Sequence, residues 1–357
     1  MEVWMKFCAV VAFLLLSVPS YAEMLYFPQV VDGGGYQTTI IITNPGQSIV
    51  TGTLRFYTPG GQPWRLSINS SSNSEFPIVL GISASARFVT SGTGNIAVGW
   101  ASLESTGILS GVATYEVRSG GALMETVGVL GALPLKQFTV PADYDSHANV
   151  GIAIINTGSE PLTVHLSLLD ESGSVIQTST DPDYENIPVH GYVTKYANQA
   201  FPSIPSIHRG TLVGQAWGEG SMAVVSLILK DGMQSAIPAT DPSIAALKQL
   251  TGVWTLGYDW GGMPWEDIFL LPGGIDQNSN DGAVYLWGMD EFGGIALATW
   301  EQLTGLYMLL RPQANYNDVY MFEFTGENNV SGCYFYQEPP DGPLGDCYDL
   351  TGERSVQ

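Results

Sequence analysis

The residues able to do chemistry are thinly spread in this 357-residue chain, and their spacing argues mostly for turns and surfaces. "DQNSNDG" (276–282) puts oxygen-bearing side chains at alternate positions, Asp276, Asn278 and Asn280, as a calcium loop does. Its glycine is the seventh residue rather than the sixth and no Glu stands at the twelfth, so calcium is the weak alternative to a polar hairpin loop. "DGGGYQ" (32–37) is glycine-rich but lacks the Gly-Lys-Ser/Thr that reaches phosphate and magnesium in a P-loop. The four histidines, His147, His165, His190 and His208, are scattered, and His165 alternates with Val164 and Leu166, which points it to solvent. No Gly-x-Ser-x-Gly elbow occurs. Carboxylates come in adjacent pairs, Glu266/Asp267 and Asp290/Glu291, whereas glycoside hydrolysis needs two that face one another. Neighbours on a strand point to opposite faces. The sequence therefore assigns no catalytic residue, no cofactor and no metal site.

Aromatic residues carry the remaining signal. Five of the nine tryptophans, Trp254, Trp260, Trp265, Trp287 and Trp300, follow residue 250. Trp254, Tyr285, Trp287, Trp300 and Tyr307 could line a cavity or a sugar-stacking platform, and they could equally fill a core.

The elements that would position these residues are strands. "TTIIITNPGQSIVTGTLRFYTPGGQP" (38–63) has a second version, "GIAIINTGSEPLTVHLSLLDESGSV" (151–175). At an offset of 112, Asn44 falls on Asn156, Gly46 on Gly158, Thr51 on Thr163, Leu54 on Leu166 and Gly61 on Gly173. Recurrence at that spacing indicates a duplicated domain rather than a solenoid. Alternation of Val50, Gly52, Leu54 and Phe56 with polar or outward residues reads as a half-buried strand, and Asn, Gly, Pro and Ser punctuate each reversal. After "ATDPSIAALKQ" about eight short strands are expected, at 252–258, 266–271, 282–288, 294–299, 305–310, 318–324, 329–336 and 347–354. Eight sequential antiparallel strands could close as an up-and-down barrel or remain an open sheet. The expected fold is all-β: two tandem β-sandwiches, 23–136 and 137–240, a linker at 241–249, and a small antiparallel barrel-like domain at 250–357.

Two resemblances attach to these residues. "YFPQVVDGGGYQTTIIITNPGQSIVTGTLRFYTPGGQP" resembles a repeat of secreted bacterial proteins with immunoglobulin-like sandwiches, which implies fold and export rather than chemistry. "LTGVWTLGY" and "LTGERS" are similar to the ends of the calycins, the lipocalin group. That resemblance implies that Arg354, near the end of the chain, covers the first-strand Trp254 and closes one end of a barrel.

Composition bounds location and partners. "MEVWMKFCAVVAFLLLSVPSYAEM" reads as a secretory signal over 1–22, with Ser20 and Ala22 at the cleavage site, and no later segment is long and apolar enough to span a bilayer. Cys333 and Cys347 are then the only cysteines of an exported chain and are expected to pair. Acidic residues outnumber basic ones 34 to 12. From 241 onward the ratio is 17 to 3, a net of −14, and nucleic acid is a poor partner for such a surface. The leading expectation is a non-enzymatic periplasmic or cell-surface protein for binding, adhesion or structure, with a protein or carbohydrate surface as partner. The alternative is a carrier of a small apolar molecule, and a carbohydrate-active hydrolase is third.

Overall fold

The computed structural model describes residues 23–218, 220–260, 263–277, 283–292, 294–300, 304–313, 315–338 and 343–355. The expected signal peptide, 1–22, lies outside the described residues. The fold is nearly all β, and the chain divides into two units, Met1–Leu133 and Pro134–Gln357.

The first unit holds β1 (Glu23–Asp32), β2 (Tyr36–Thr43), β3 (Val50–Tyr57), β4 (Leu66–Ile68), β5 (Ser71–Asn73), β6 (Glu75–Leu80), β7 (Ser85–Val89), β8 (Ala97–Ser105), β9 (Ser110–Ser119) and β10 (Ala122–Leu130). They form two four-stranded sheets, ordered β1-β8-β3-β6 and β10-β9-β2-β7, with β4–β5 as a separate hairpin. Phe27, Ile40, Ile42, Leu54 and Phe56 are buried on the inward parity of their strands, whereas Trp100, also buried, lies on the other face and stacks on Tyr57 at 4.2 Å. The glycines of "DGGGYQ" make the β1–β2 turn, with Gly33, Gly34 and Gly35 all at positive φ. Any Cβ on Gly33 would run into the Asn95 carbonyl, so a glycine is required there.

The second unit opens with β11 (Gln137–Pro141), β12 (Ala148–Asn156), β13 (Val164–Asp170), β14 (Val175–Thr178), β15 (Tyr192–Tyr196), a short helix α1 (Ala197–Ala200), β16 (Gly210–Ala216), β17 (Met222–Lys230) and β18 (Met233–Ile237). Its sheets run β11-β16-β13-β14 and β15-β12-β17-β18, the same strand order as in the first unit. Phe138, Ile152, Leu166, Leu212 and Val224, drawn from both sheets, share one core.

The two copies also repeat a buried polar device. Asn44, fully buried, donates from Nδ2 to the carbonyls of Ser48 (2.7 Å), Leu80 (3.2 Å) and Gly81 (3.0 Å), while its Oδ1 accepts from the Gly46 amide at 2.9 Å. Asn156 does the same with the carbonyls of Glu160, Ile187 and Pro188 and the amide of Gly158. One side chain thus satisfies four backbone groups at the end of β2 and again at the end of β12.

The chain then forms α2 (Ser243–Lys248) and eight strands: β19 (Gly252–Trp260), β20 (Met263–Gln277), β21 (Val284–Asp290), β22 (Ile295–Trp300), β23 (Tyr307–Pro312), β24 (Asn317–Phe324), β25 (Asn329–Gln337) and β26 (Tyr348–Arg354). They close into an antiparallel barrel, each pairing with the next and β19 pairing back onto β26. β20 is longer than expected. Pro272-Gly273-Gly274 reads as a turn, but the strand passes through it with a register shift between Leu270 and Gly274, a bulge that bends the strand without ending it. The segment 241–249, expected as a linker, carries α2, and Ala246, Leu247 and Leu250 belong to the barrel core. Gln137 on β11 reaches both Ser243 and the Trp300 carbonyl, and Gln277 donates to the Pro134 carbonyl at 3.0 Å. The second sandwich and the barrel are therefore joined by side-chain bonds as well as by the chain. Cys333 and Cys347 form a disulfide with Cα atoms 5.2 Å apart, tying β25 to the segment before β26.

Candidate functional site

Inward parity fills most of the barrel. At one end Trp254, Tyr307, Phe322 and Val330 pack with Leu247 and Leu250 of the α2 segment. Above them Leu256, Phe269, Leu286, Ala298, Leu309, Tyr320 and Leu350 make a second apolar layer. Gly288 and Gly332 also face inward, where a Cβ would strike Leu271 and the Met321 carbonyl of the adjacent strands respectively, so glycine permits the close strand approach there.

The same parity, followed toward the other end, turns polar. Continuing β19 leads to Tyr258, β20 to Asp267, β21 to Asp290, β23 to Arg311, β24 to Asp318 and β25 to Tyr334, all buried. The Arg311 guanidinium sits among the three carboxylates. Nη1 lies 2.7 Å from Asp267 Oδ1, Nε and Nη2 each lie 2.9 Å from Asp318 Oδ2, and Asp290 Oδ2 is 3.7 Å from Nη1. Three tyrosines complete the layer. Tyr258 and Tyr320 donate to Asp267 Oδ2 at 2.9 and 2.6 Å, and Tyr334 donates to Asp318 Oδ1 at 2.7 Å. Burial raises the pKa of all three phenols, and the carboxylate of Asp267 or Asp318 raises it further, so they remain O–H donors. Burial disfavours the Arg311 cation, but Tyr320, Asp267 and Asp318 outweigh it and raise its pKa.

This layer is the floor of a cavity of about 640 Å³ open at the barrel mouth. Its rim is aromatic: Trp260, Trp265, Phe292, Tyr316 and Tyr336 all line it. Trp260 stacks on Tyr336 at 5.8 Å and lies 6.3 Å from Trp265, while Tyr258 stacks on Tyr334 at 3.9 Å just below. Trp260, Trp265 and Phe292 are exposed. The arrangement is a cup with an apolar, stacking wall and a charged, hydrogen-bonded floor.

The five aromatic residues singled out from the sequence do not meet in one site. Trp254 and Tyr307 are buried at the closed end, and Trp300, on the same inward parity, is partly buried against that core. Tyr285 and Trp287 sit on the outward parity of β21, with Trp287 exposed. None of the five lines the cup. Asp276 is exposed near the end of β20, whereas Asn278 and Asn280 lie outside the described residues. Among the described residues no group of three or more His, Cys, Asp and Glu is placed to hold a metal ion. His165 is exposed and stacks on Trp217 at 5.1 Å, while His208 is buried.

The adjacent carboxylate pairs split as strand parity requires. Glu266 and Glu291 face out, and Asp267 and Asp290 face in to share the floor with Asp318. Arg311, which organises them, is one of only three basic residues after position 240. It also alternates with Leu309 and Tyr307 on an apolar parity, a position that a charged side chain occupies only when paired. That was the available signal. The closed end bears Arg354, whose guanidinium carbon is 5.5 Å from the Trp254 ring. Arg354 also donates to the carbonyls of Gln249 and Glu327, both at 3.0 Å, and to Asn328 Oδ1 at 2.8 Å. No protein-family model matches this chain, and no curated protein matches it in sequence.

Proposed function

We propose that this is an exported, non-enzymatic binding protein whose barrel holds a small molecule in its open cup. The observation that carries the reading is the roughly 640 Å³ cavity at one mouth of a barrel that is otherwise filled. That volume falls within the ordinary range of small-molecule sites. A filled barrel end capped by α2 and by Arg354 over Trp254 supports the calycin resemblance. The repeated strand order supports immunoglobulin-like sandwiches for the preceding segments. A wholly apolar ligand suits the rim but not the floor, where it would leave buried charges facing hydrocarbon.

Hydrolysis is less well supported than binding. Asp267 and Asp318 have both oxygens engaged by Arg311 or tyrosine hydroxyls. Only Asp290 keeps an oxygen without a hydrogen bond among the described residues, so the cup offers one available carboxylate where a glycosidase needs two.

The test is native mass spectrometry on the full chain exported from its own host and purified without exhaustive dialysis. A bound small molecule should accompany the native protein and be lost from a Trp260→Ala/Trp265→Ala variant of the rim. Adduct-free native protein, together with no binder from a chemically mixed screen, would sink the reading.

A further inference from the structure

The floor of the cup is unbalanced in charge, and its imbalance is localised. Asp267, Asp290 and Asp318 bring three carboxylates to one guanidinium, a formal net of −2. Arg311 is committed to Asp267 and Asp318 by contacts of 2.7–2.9 Å. Asp290 is different. Its side chain is 4% exposed, it lines the cavity, and its Oδ1 is occupied by the amides of Phe292 and Gly294 at 3.0 and 2.6 Å. Its Oδ2 makes no hydrogen bond among the described residues, and the Arg311 cation stands 3.7 Å away. That oxygen lines the cavity as an acceptor with no donor among the described residues, so a donor arriving through the mouth can bond it.

Above Asp290 the wall is aromatic. Trp260, Trp265, Phe292 and Tyr336 present π-systems, which attract cations as well as apolar bodies. The whole region from 241 onward is net negative by fourteen charges, which concentrates cations at the mouth and repels anions. An anionic ligand would have to take Arg311 from carboxylates that already hold it. A neutral ligand would gain the stacking but leave the floor as charged as before.

Building on the binding reading above, we propose that the cup recognises an organic cation: a protonated primary amine placed against Asp290 Oδ2, with an aromatic or aliphatic body between the rim rings. Asp290 supplies the acceptor, the rings hold the body, and Arg311 keeps Asp267 and Asp318 in place rather than touching the ligand.

Calorimetric titration of the full chain with three probes of nearly equal size tests this: phenethylammonium, 2-phenylethanol and 3-phenylpropionate. The ammonium should bind at least about tenfold more tightly than the alcohol, and the carboxylate should not bind. Asp290→Asn keeps an oxygen for the Phe292 and Gly294 amides, so its circular dichroism should match the native protein's. It should lose the ammonium's advantage over the alcohol. Equal affinities for ammonium and alcohol, preference for the carboxylate, or an undiminished ammonium preference in Asp290→Asn would overturn the cation assignment and leave the binding cup standing. Absence of heat with all three probes would overturn the cation assignment, and failure of the mixed screen as well would remove the cup.

Discussion

Trp254 and Arg354 are direct partners across the seam where the first and last barrel strands meet, although a hundred positions separate them. The guanidinium lies over the indole at 5.5 Å while its N–H groups satisfy carbonyls of the flanking segments. The contact therefore closes the sheet and covers its aromatic base at once. Arg354→Ala should lower the stability of the second unit by about 1–2 kcal/mol and red-shift tryptophan emission. Arg354→Lys should recover only part of this, because lysine keeps charge but not the planar fork. Trp254 is 2% exposed and its Nε1 donates to the Leu250 carbonyl at 2.8 Å, so Trp254→Ala should cost about 3–5 kcal/mol. A double-mutant cycle measures the coupling, and strictly additive losses would mean that the stack contributes nothing of its own.

The two asparagine staples make a paired prediction. In each, Nδ2 is surrounded by three carbonyl oxygens, so the position accepts a donor and rejects an anion. Asn44→Ala and Asn156→Ala should each cost about 1–3 kcal/mol for the buried groups left unpaired. Asn44→Asp, nearly the same shape, should cost more than Asn44→Ala at neutral pH. Denaturant unfolding checks the order, and an aspartate variant as stable as the wild type would show that the carbonyls are not held by the amide.

Much of the fold was legible because period-two alternation survives in strands such as β9, β21 and β23. Leu54/Leu166 and Asn44/Asn156 also mark a repeat whose strand order proves to be the same. Closure was legible only as a resemblance at Trp254 and Arg354, since no local pattern reports which strands meet at a seam. The cup was not legible. Its floor comes from six strands, most of them contributing a single polar residue at the end of an apolar parity, so its members are spread over Tyr258 to Tyr334 and form no motif. The placement of the aromatic residues is hidden for a related reason. Trp287 and Tyr285 differ from Trp260 only in parity, and parity is lost to sequence reasoning wherever both faces of a strand are apolar, as in "AVYLWG".

The helical segment before the barrel defines where a barrel fragment must begin. Leu247 and Leu250 are fully buried against the closed end, and the Ala246 carbonyl accepts from the Tyr307 hydroxyl at 3.3 Å. A fragment of residues 241–357 should be more stable than one of residues 250–357, which leaves the end of the barrel uncovered. In the full chain, Leu247→Ala should destabilise the second unit by about 2–5 kcal/mol. Equal midpoints for the two fragments in urea would show that α2 only spans the gap to the sandwich.

Asp241, just ahead of α2, gives a pH signature of definite sign. Its Oδ1 accepts from the Ser243 amide at 2.8 Å, but its Oδ2 is buried with no hydrogen-bond partner among the described residues. Burial raises its pKa above the ordinary carboxylate value, against the opposing bonds from Ser243. The folded state therefore favours the neutral acid. Its contribution to stability is fully present below the unfolded pKa of about 4 and is lost as pH rises through the raised folded value. Asp241→Asn keeps an oxygen for the Ser243 amide and carries no charge at any pH. Near pH 7 it should unfold at a higher denaturant concentration than the native protein, by on the order of 1 kcal/mol. The gap should narrow as pH falls toward 4, where the native side chain takes up its proton. Urea midpoints of both proteins across that range measure it. A variant less stable at pH 7, with a pH profile parallel to the native one, would mean that Asp241 is stabilised as a carboxylate by its surroundings.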